Sequence, residues 1–405
     1  MKTFKSCLKR FGAIFLITLM SQTAYPASDA IETLAEYFHL ISTGNFESAA
    51  DMWTESALER ASRFGIEYTG IPIRVDCASP IVGNIERMRH FLQPPVKRMT
   101  ELSGKDFVRL EYSAIVDGQL IEHLYYALFD GDFYWLTYPQ DYYCRSWPVM
   151  ESKYFRIHAH PDVQKYLNPA VLDEADLFVE RIADSLSISK ADFKVLVEKK
   201  IEYFYCNTDE TIENITSTRS KGTFHQPSND IISTFFPHYP KVVQLLVNYK
   251  LRRLPISTHP LLREGLALYY GGRWGTAPTA LMDLGAYLYH EKVVEIDSLL
   301  TVKKFDNHAA SDIAYPVAGL FTAYLLDEFG ISHYLDLYRV LSGSIETVQS
   351  LSDSTVQQAL LEACDKSTWE ILLDDFSRFI TERSSQQAVM LPGGIEDGSR
   401  LVRKD

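Results

Sequence analysis

The segment Ser233–Gly272, STFFPHYPKVVQLLVNYKLRRLPISTHPLLREGLALYYGG, decides how the chain folds. After Pro240 the apolar residues Val242, Leu245, Leu246 and Tyr249 fall at i, i+3, i+4 and i+7, which predicts a helix with one buried stripe. Proline is most comfortable as a first helical residue, so the helix is expected to start at Pro240, with His238 in the preceding loop. A second helical pattern follows Pro260, carries Glu264-Gly265-Leu266-Ala267, and stops at Gly271-Gly272. Glu264 is expensive to bury alone on so apolar a helix. Its expected partner is Arg263, Arg252, Arg273 or a protonated His238, the alternative being water.

Working outward, KKIEYFYCN reads as a strand and TDETIENIT as a short helix, followed by a turn at Gly222 and a second strand in DIISTFF. From there the pattern is helical almost to Ile380. This order of elements over residues 150–380, with the E-G-L-A helix, resembles the gluzincin-type zinc peptidases of the peptidase MA-like class. In that family two histidines of an H-E-x-x-H helix and a glutamate from a second helix hold zinc, and the motif's own glutamate deprotonates the bound water. Aligned on Phe-Pro-His, His238 matches the first histidine and Glu264 the third ligand. Tyr239 stands in place of the general base and Val242 in place of the second histidine. Tyrosine is no carboxylate base and valine offers a metal no lone pair.

The resemblance therefore implies a peptidase scaffold without its catalytic residues, metal or cofactor. His238, Glu264 and Tyr315 mark the former cleft, Tyr315 standing where some gluzincins place a transition-state donor while reading as a core residue. KGTFHQPSNDIISTFF resembles the edge strand along which substrate lies, so the implied function is binding of a protein or peptide without cutting it. One alternative is an active zinc metallopeptidase with unorthodox ligands; His225, His259, His158 and His160 are the further donors. Another places small-ligand binding in the N-terminal part of the chain.

That part opens with IETLAEYFHLISTGNFESAADMW. Leu34, Tyr37, Phe38 and Ile41 share one helical face, and a break at Gly44-Asn45 precedes Phe46, Ala49, Ala50 and Trp53, predicting a helical hairpin. Alternating runs cut by Asp117-Gly118 and Asp130-Gly131 predict consecutive antiparallel strands. Residues 31 to about 148 thus resemble the α+β cone of ketosteroid isomerase and nuclear transport factor two. Glu122, His123 and Asp141 read as solvated strand positions rather than acids or bases.

The predicted class is α+β, a cone followed by a mostly helical gluzincin-like unit with a small sheet. The expected boundaries are a signal peptide at 1–27, the cone at 28–148, the degenerate peptidase unit at 149–385 and a flexible tail at 386–405. The basic MKTFKSCLKR, apolar FGAIFLITLM and small-residue SQTAYPASDA carry the signal expectation, and with it a secreted or periplasmic destination. No other stretch is long and apolar enough to predict a membrane span. The formal charge of −13 becomes more negative by four once Lys2, Lys5, Lys9 and Arg10 are removed, which argues against nucleic acid as a partner. Cys77, Cys144, Cys206 and Cys364 lack any C-x-x-C spacing; one disulfide per domain and buried free thiols are the two readings.

Overall fold

Leu34, Tyr37, Phe38 and Ile41 are all buried on one face of helix α1 (Ala30–Ser42), whose N-terminus is capped by the Asp29 carboxylate. In the computed structural model, which describes residues 29–89, 98–102 and 106–390, this helix and α2 (Phe46–Ala50) form the expected hairpin. The proposed signal peptide and residues 391–405 of the proposed tail lie outside the described residues. A third helix, α3 (Glu55–Ser62), was not legible as such: it buries only Ala57 and Ala61 and is started by the Thr54 side chain. Strand β1 (Glu67–Tyr68) and helix α4 (Ile85–Met88) follow.

An antiparallel meander in the order β2-β3-β4-β5 then lies against α1. It comprises β2 (Arg98–Glu101), β3 (Phe107–Val116), β4 (Gln119–Phe129) and β5 (Tyr134–Thr137). Asp117 and Gly118 both take positive φ (52° and 76°), the conformation that a two-residue hairpin turn between right-twisted strands requires. Tyr37, Trp53, Tyr112 and Tyr125 fill the centre of this unit. Among them lies Asp76, 4% exposed, which accepts hydrogen bonds from the Tyr37 hydroxyl at 2.8 Å and the Tyr125 hydroxyl at 3.0 Å.

After α5 (Pro139–Tyr143) comes a second sheet in the order β6-β7-β8-β10-β9. Strands β7 (Phe155–Ala159), β8 (Ile201–Tyr205) and β10 (Asp230–Ser233) run parallel, while β6 (Val149–Glu151) and β9 (Gly222–His225) are antiparallel edges. Strand β8 is buried along its whole length, as a strand covered on both faces must be. Between strands run α6 (Pro169–Ser185), α7 (Lys190–Lys199) and α8 (Asp209–Thr216).

The chain then enters α9 (Tyr239–Leu251), β11 (Arg253–Leu254), β12 (Ser257–Thr258), α10 (Pro260–Gly271) and α11 (Pro278–His290). The predicted stripe of α9 is core: Val242, Leu245 and Leu246 are fully buried and Tyr249 is 1% exposed. Helix α12 (Val302–Ala309) leads to the long α13 (Ala314–Val340), which kinks at Gly330 with φ 73°. β13 (Ser342–Gly343), α14 (Ile345–Gln349), α15 (Asp353–Ala363) and α16 (Trp369–Met390) complete the chain, the last running five residues into the predicted tail. Glycine in E-G-L-A has a packing cause: a Cβ on Gly265 would stand 2.3 Å from Thr322 Oγ1 and 2.7 Å from the Ala318 carbonyl of α13. Helices predominate among the described residues, with several small sheets, and no helix there is long and apolar enough to cross a membrane.

The two units are joined by parallel pairing of β1 with β11 and by the buried Arg63 and half-buried Arg74. Arg63 donates to Asp230 at 2.8 Å, and Arg74 to the Gln226 carbonyl at 2.7 Å. Among the described residues, Cys77, Cys144, Cys206 and Cys364 are buried free thiols. One disulfide per domain fails for a spatial reason: Cys77 and Cys364 belong to the main core, whereas Cys144 and Cys206 belong to a separate cluster under α8.

Burial pushes the Asp76 carboxyl up to about 7, outweighing the phenol and hydroxyl donors that favour its ionised form. The unfolded group titrates near ~4, so between about pH 4 and 7 the folded chain holds a proton that the unfolded chain has lost. Stability from this group is therefore present at low pH and lost as pH rises through that window. Asp76→Asn keeps an acceptor for both phenols. In urea unfolding, its stability relative to the parent is expected to rise between pH 5 and 8 by on the order of 2–4 kcal/mol.

Candidate functional site

Edge strand β9 and the N-terminal halves of α9 and α10 enclose a cavity of about 570 Å³ lined by His238, Pro240, Lys241, Glu264, Arg273 and Tyr315, among others. The three predicted cleft residues His238, Glu264 and Tyr315 are thus brought together. Close helix packing produces the convergence, since a Cβ on Gly271 at the end of α10 would stand 2.8 Å from the Pro240 nitrogen.

His238 is the N-cap residue of α9 and is 7% exposed. Its ring stacks on Phe235 at 4.6 Å and presses on the backbone at Gly222, where a Cβ would stand 2.3 Å from its Cδ2. Nδ1 has no hydrogen-bond partner. Burial, reinforced by the Lys241 ammonium, lowers the imidazole to about 3, so it is neutral at pH 7 and is not the counter-ion of Glu264.

Tyr239 and Val242, which the alignment on His238 sets at the base and second-ligand positions, do not face Glu264. The Tyr239 hydroxyl donates to Glu174 on α6 at 2.9 Å and its ring lies on Phe178 at 4.1 Å. Val242 is sealed in the core. The α9 face turned toward Glu264 carries Lys241 and Gln244 instead. Gln244 Nε2 lies 3.3 Å from each Glu264 oxygen, and Lys241 Nζ donates to Gln244 Oε1 at 3.0 Å. From α10 itself, Arg263 Nε donates to Glu264 Oε1 at 2.8 Å.

Burial works against a charged Glu264, but Arg263, Lys241 and Arg273 together outweigh it and hold the carboxyl at about 2. Lys241 is the reciprocal case: burial pulls its ammonium below the ordinary value and Glu264 only partly restores it. Tyr315 belongs to the cavity wall, half-buried, rather than to the core. The Arg273 guanidinium lies 3.5 Å from its ring centroid and 4.8 Å from that of Trp274, and is fixed by Asp312 at 2.8 Å. Arg252 is tied to Asp192 elsewhere.

The remaining histidines are dispersed. His225 Nδ1 meets Ser228 Oγ at 2.5 Å, His259 caps α10, His158 pairs with Glu202 at 2.5 Å, and His160 lies 3.5 Å from Asp162. Among the described residues no group of three or more His, Cys, Asp or Glu is disposed to hold a metal ion. What the cavity offers a ligand is charge and hydrogen-bond donors beside an open strand edge. Lys241 and Gln244 are the residues that sequence reasoning missed. The available signal was their three-residue spacing in a helix opposite a buried carboxylate.

No protein-family model matches the chain, and no curated protein matches it.

Because Arg263 pairs with Glu264 directly and Lys241 reaches it through Gln244, Glu264→Gln leaves two cations near each other with no carboxylate between them. It is expected to cost about 2–3 kcal/mol in chemical unfolding, a figure reduced for the cleft's partial exposure. Lys241→Met added to Glu264→Gln is expected to recover part of that loss, the sign of a coupled pair in a double-mutant cycle. Val242→Asp places an unpaired charge in the core and is expected to unfold this unit outright.

Proposed function

We propose that residues 149–385 form a gluzincin-like peptidase scaffold in which a lysine ammonium occupies the place of the metal, and that the protein binds a peptide in the cleft without cleaving it. The observation that carries the reading is the register of α9 against Glu264. In H-E-x-x-H the two histidines stand four residues apart on the face turned to the third ligand. Read from the residues that face Glu264 here, the corresponding five are Pro240-Lys241-Val242-Val243-Gln244. On that frame, shifted by two from the alignment on His238, proline replaces the first ligand, lysine the base and glutamine the second ligand.

The substitutions form a consistent set. A carboxylate that would have met a dication meets an ammonium, a guanidinium and an amide, so its charge stays compensated in a site poor in water. Lys241 cannot deprotonate a metal-bound water while it neutralises Glu264. The strand edge that lays out a substrate is retained, and β9 offers unpaired backbone donors and acceptors for an added strand. We read the N-terminal unit as an α+β cone. Its interior is filled by aromatic side chains around Asp76, which supports a structural role over ligand binding at its centre.

Rebuilding the motif tests the reading. Pro240→His, Lys241→Glu and Gln244→His together are expected to give a folded protein that takes up about one zinc per chain with Glu264 as third ligand. The parent is expected to take up none under the same conditions. Zinc content by elemental analysis after dialysis is the readout. A folded triple variant that stays metal-free would remove the scaffold assignment.

A further inference from the structure

Along β9, on the far side of Lys241, lies a second cavity of about 230 Å³ lined by Tyr68, Thr223, Gln244, Asn248, Arg263 and Tyr338, among others. Two features set it apart. Its described lining includes the cations Lys241 and Arg263 and no acidic side chain. Its Tyr68 side chain is 5% exposed, yet the hydroxyl has no hydrogen-bond partner. A buried hydroxyl without a partner forfeits a stabilising interaction that an acceptor in the cavity would restore.

We infer that this cavity is a subsite for the carboxylate side chain of a peptide added to the free edge of β9, so that the ligand class is an extended peptide bearing aspartate or glutamate at one fixed position. The inference rests on the peptide-binding reading above and adds its specificity. The charge count supports it. Glu264 pairs directly with Arg263, while Lys241 donates to the neutral Gln244, so the two cations of this wall face a single carboxylate and one positive charge is left unmatched beside the cavity. Arg263 engages Glu264 through Nε, and its guanidinium has four further N–H donors with which to meet a second carboxylate. Tyr68 adds a neutral O–H donor, and Asn248 an amide.

The geometry also places the group correctly for strand addition. Thr223 and Phe224 of β9 line this cavity while Gly222 lines the cavity around His238, so the strand edge runs past Lys241 from one to the other. Side chains of an added strand alternate in direction, so one of them is delivered into the smaller cavity while the backbone stays on the edge. Tyr68 comes from the N-terminal unit and reaches this wall because β1 pairs with β11 through Tyr68 and Leu254.

The test uses the full chain and a positional-scanning library of hexapeptides, acetylated and amidated so that side chains alone carry charge, with binding read by competition in fluorescence polarisation. At one position the Asp or Glu mixtures are expected to bind about tenfold tighter than the Asn or Gln mixtures, and Lys or Arg there to bind more weakly still. Arg263→Gln, confirmed folded by circular dichroism, is expected to erase that preference. Tyr68→Phe, which leaves the Glu264 cluster untouched, is expected to reduce it several-fold while the neutral mixtures bind as before. Equal binding of acidic and amide mixtures at every position overturns the subsite and leaves the peptide reading standing. Binding by no mixture overturns both. An acidic preference unchanged in both folded variants also overturns the assignment of the subsite to this cavity.

Discussion

A single carboxylate, Glu264, fixes the relation between the two helices that build the cleft. It sits near the start of α10, with its own neighbour Arg263 on one side and Gln244 and Lys241 of α9 on the other. An ion in so enclosed a place is tolerated only where opposite charge and hydrogen bonds replace the water it has lost. The helices must therefore approach closely enough for α9 to supply that charge, and the glycines of α10 make the approach possible. Gly265 lets α10 lie against α13, and Gly271 lets its end meet the start of α9 at Pro240. Alanine at 271 would press on the start of α9, and alanine at 265 on α13.

Those two glycines bear on how the cleft keeps its shape. A zinc ion pulls its ligands together by bond strength; here close packing at the glycines and the hydrogen bonds and charges around Glu264 act together. On the proposed reading, loss of the metal required one compensating cation, and α9 supplies it at the position of the former base. Glutamine at the position of the second ligand is the natural companion, since an amide can accept from Lys241 through oxygen and donate to Glu264 through nitrogen at once.

Much of this was readable from periodicity. The stripe Val242, Leu245, Leu246 and Tyr249 is core, both Asp-Gly hairpins are present, and the convergence of His238, Glu264 and Tyr315 followed from the order of elements. What escaped had physical causes. On the proposed reading, alignment on the identity of His238 sets the frame two residues early, because a histidine is conspicuous and a helical face is visible only once its partner is placed. Helix α3 has too narrow an apolar face to declare itself, and its meaning lies in Arg60 and Arg63, which point across the domain boundary. The cysteines gave no pairing because their clusters are set by tertiary packing. Tyr315 resembled core because a half-buried aromatic holding a guanidinium has the same local pattern as one packed on leucine.

The boundary itself is part of the cleft. Asp230 begins β10, fully buried, and is reached by Arg63 at 2.8 Å and by Arg60 at 4.0 Å from α3. Arg74 holds Gln226 and Asn229 in the loop that connects β9 to β10. The N-terminal unit therefore clamps the base of the very hairpin whose outer strand forms the cleft's open edge. An edge strand fixed at its base loses little freedom when a ligand pairs with it, which lowers the entropic cost of strand addition. Setting Arg60, Arg63 and Arg74 against the hairpin, with Arg63 buried, would be a poor way to gain stability, since ion pairs removed from water repay little of their desolvation. Its consequence is that the loop and strand at the base of β9 are tied to the N-terminal unit. The same interface carries Tyr68 to the smaller cavity beside β9, so side chains of both units line that cavity.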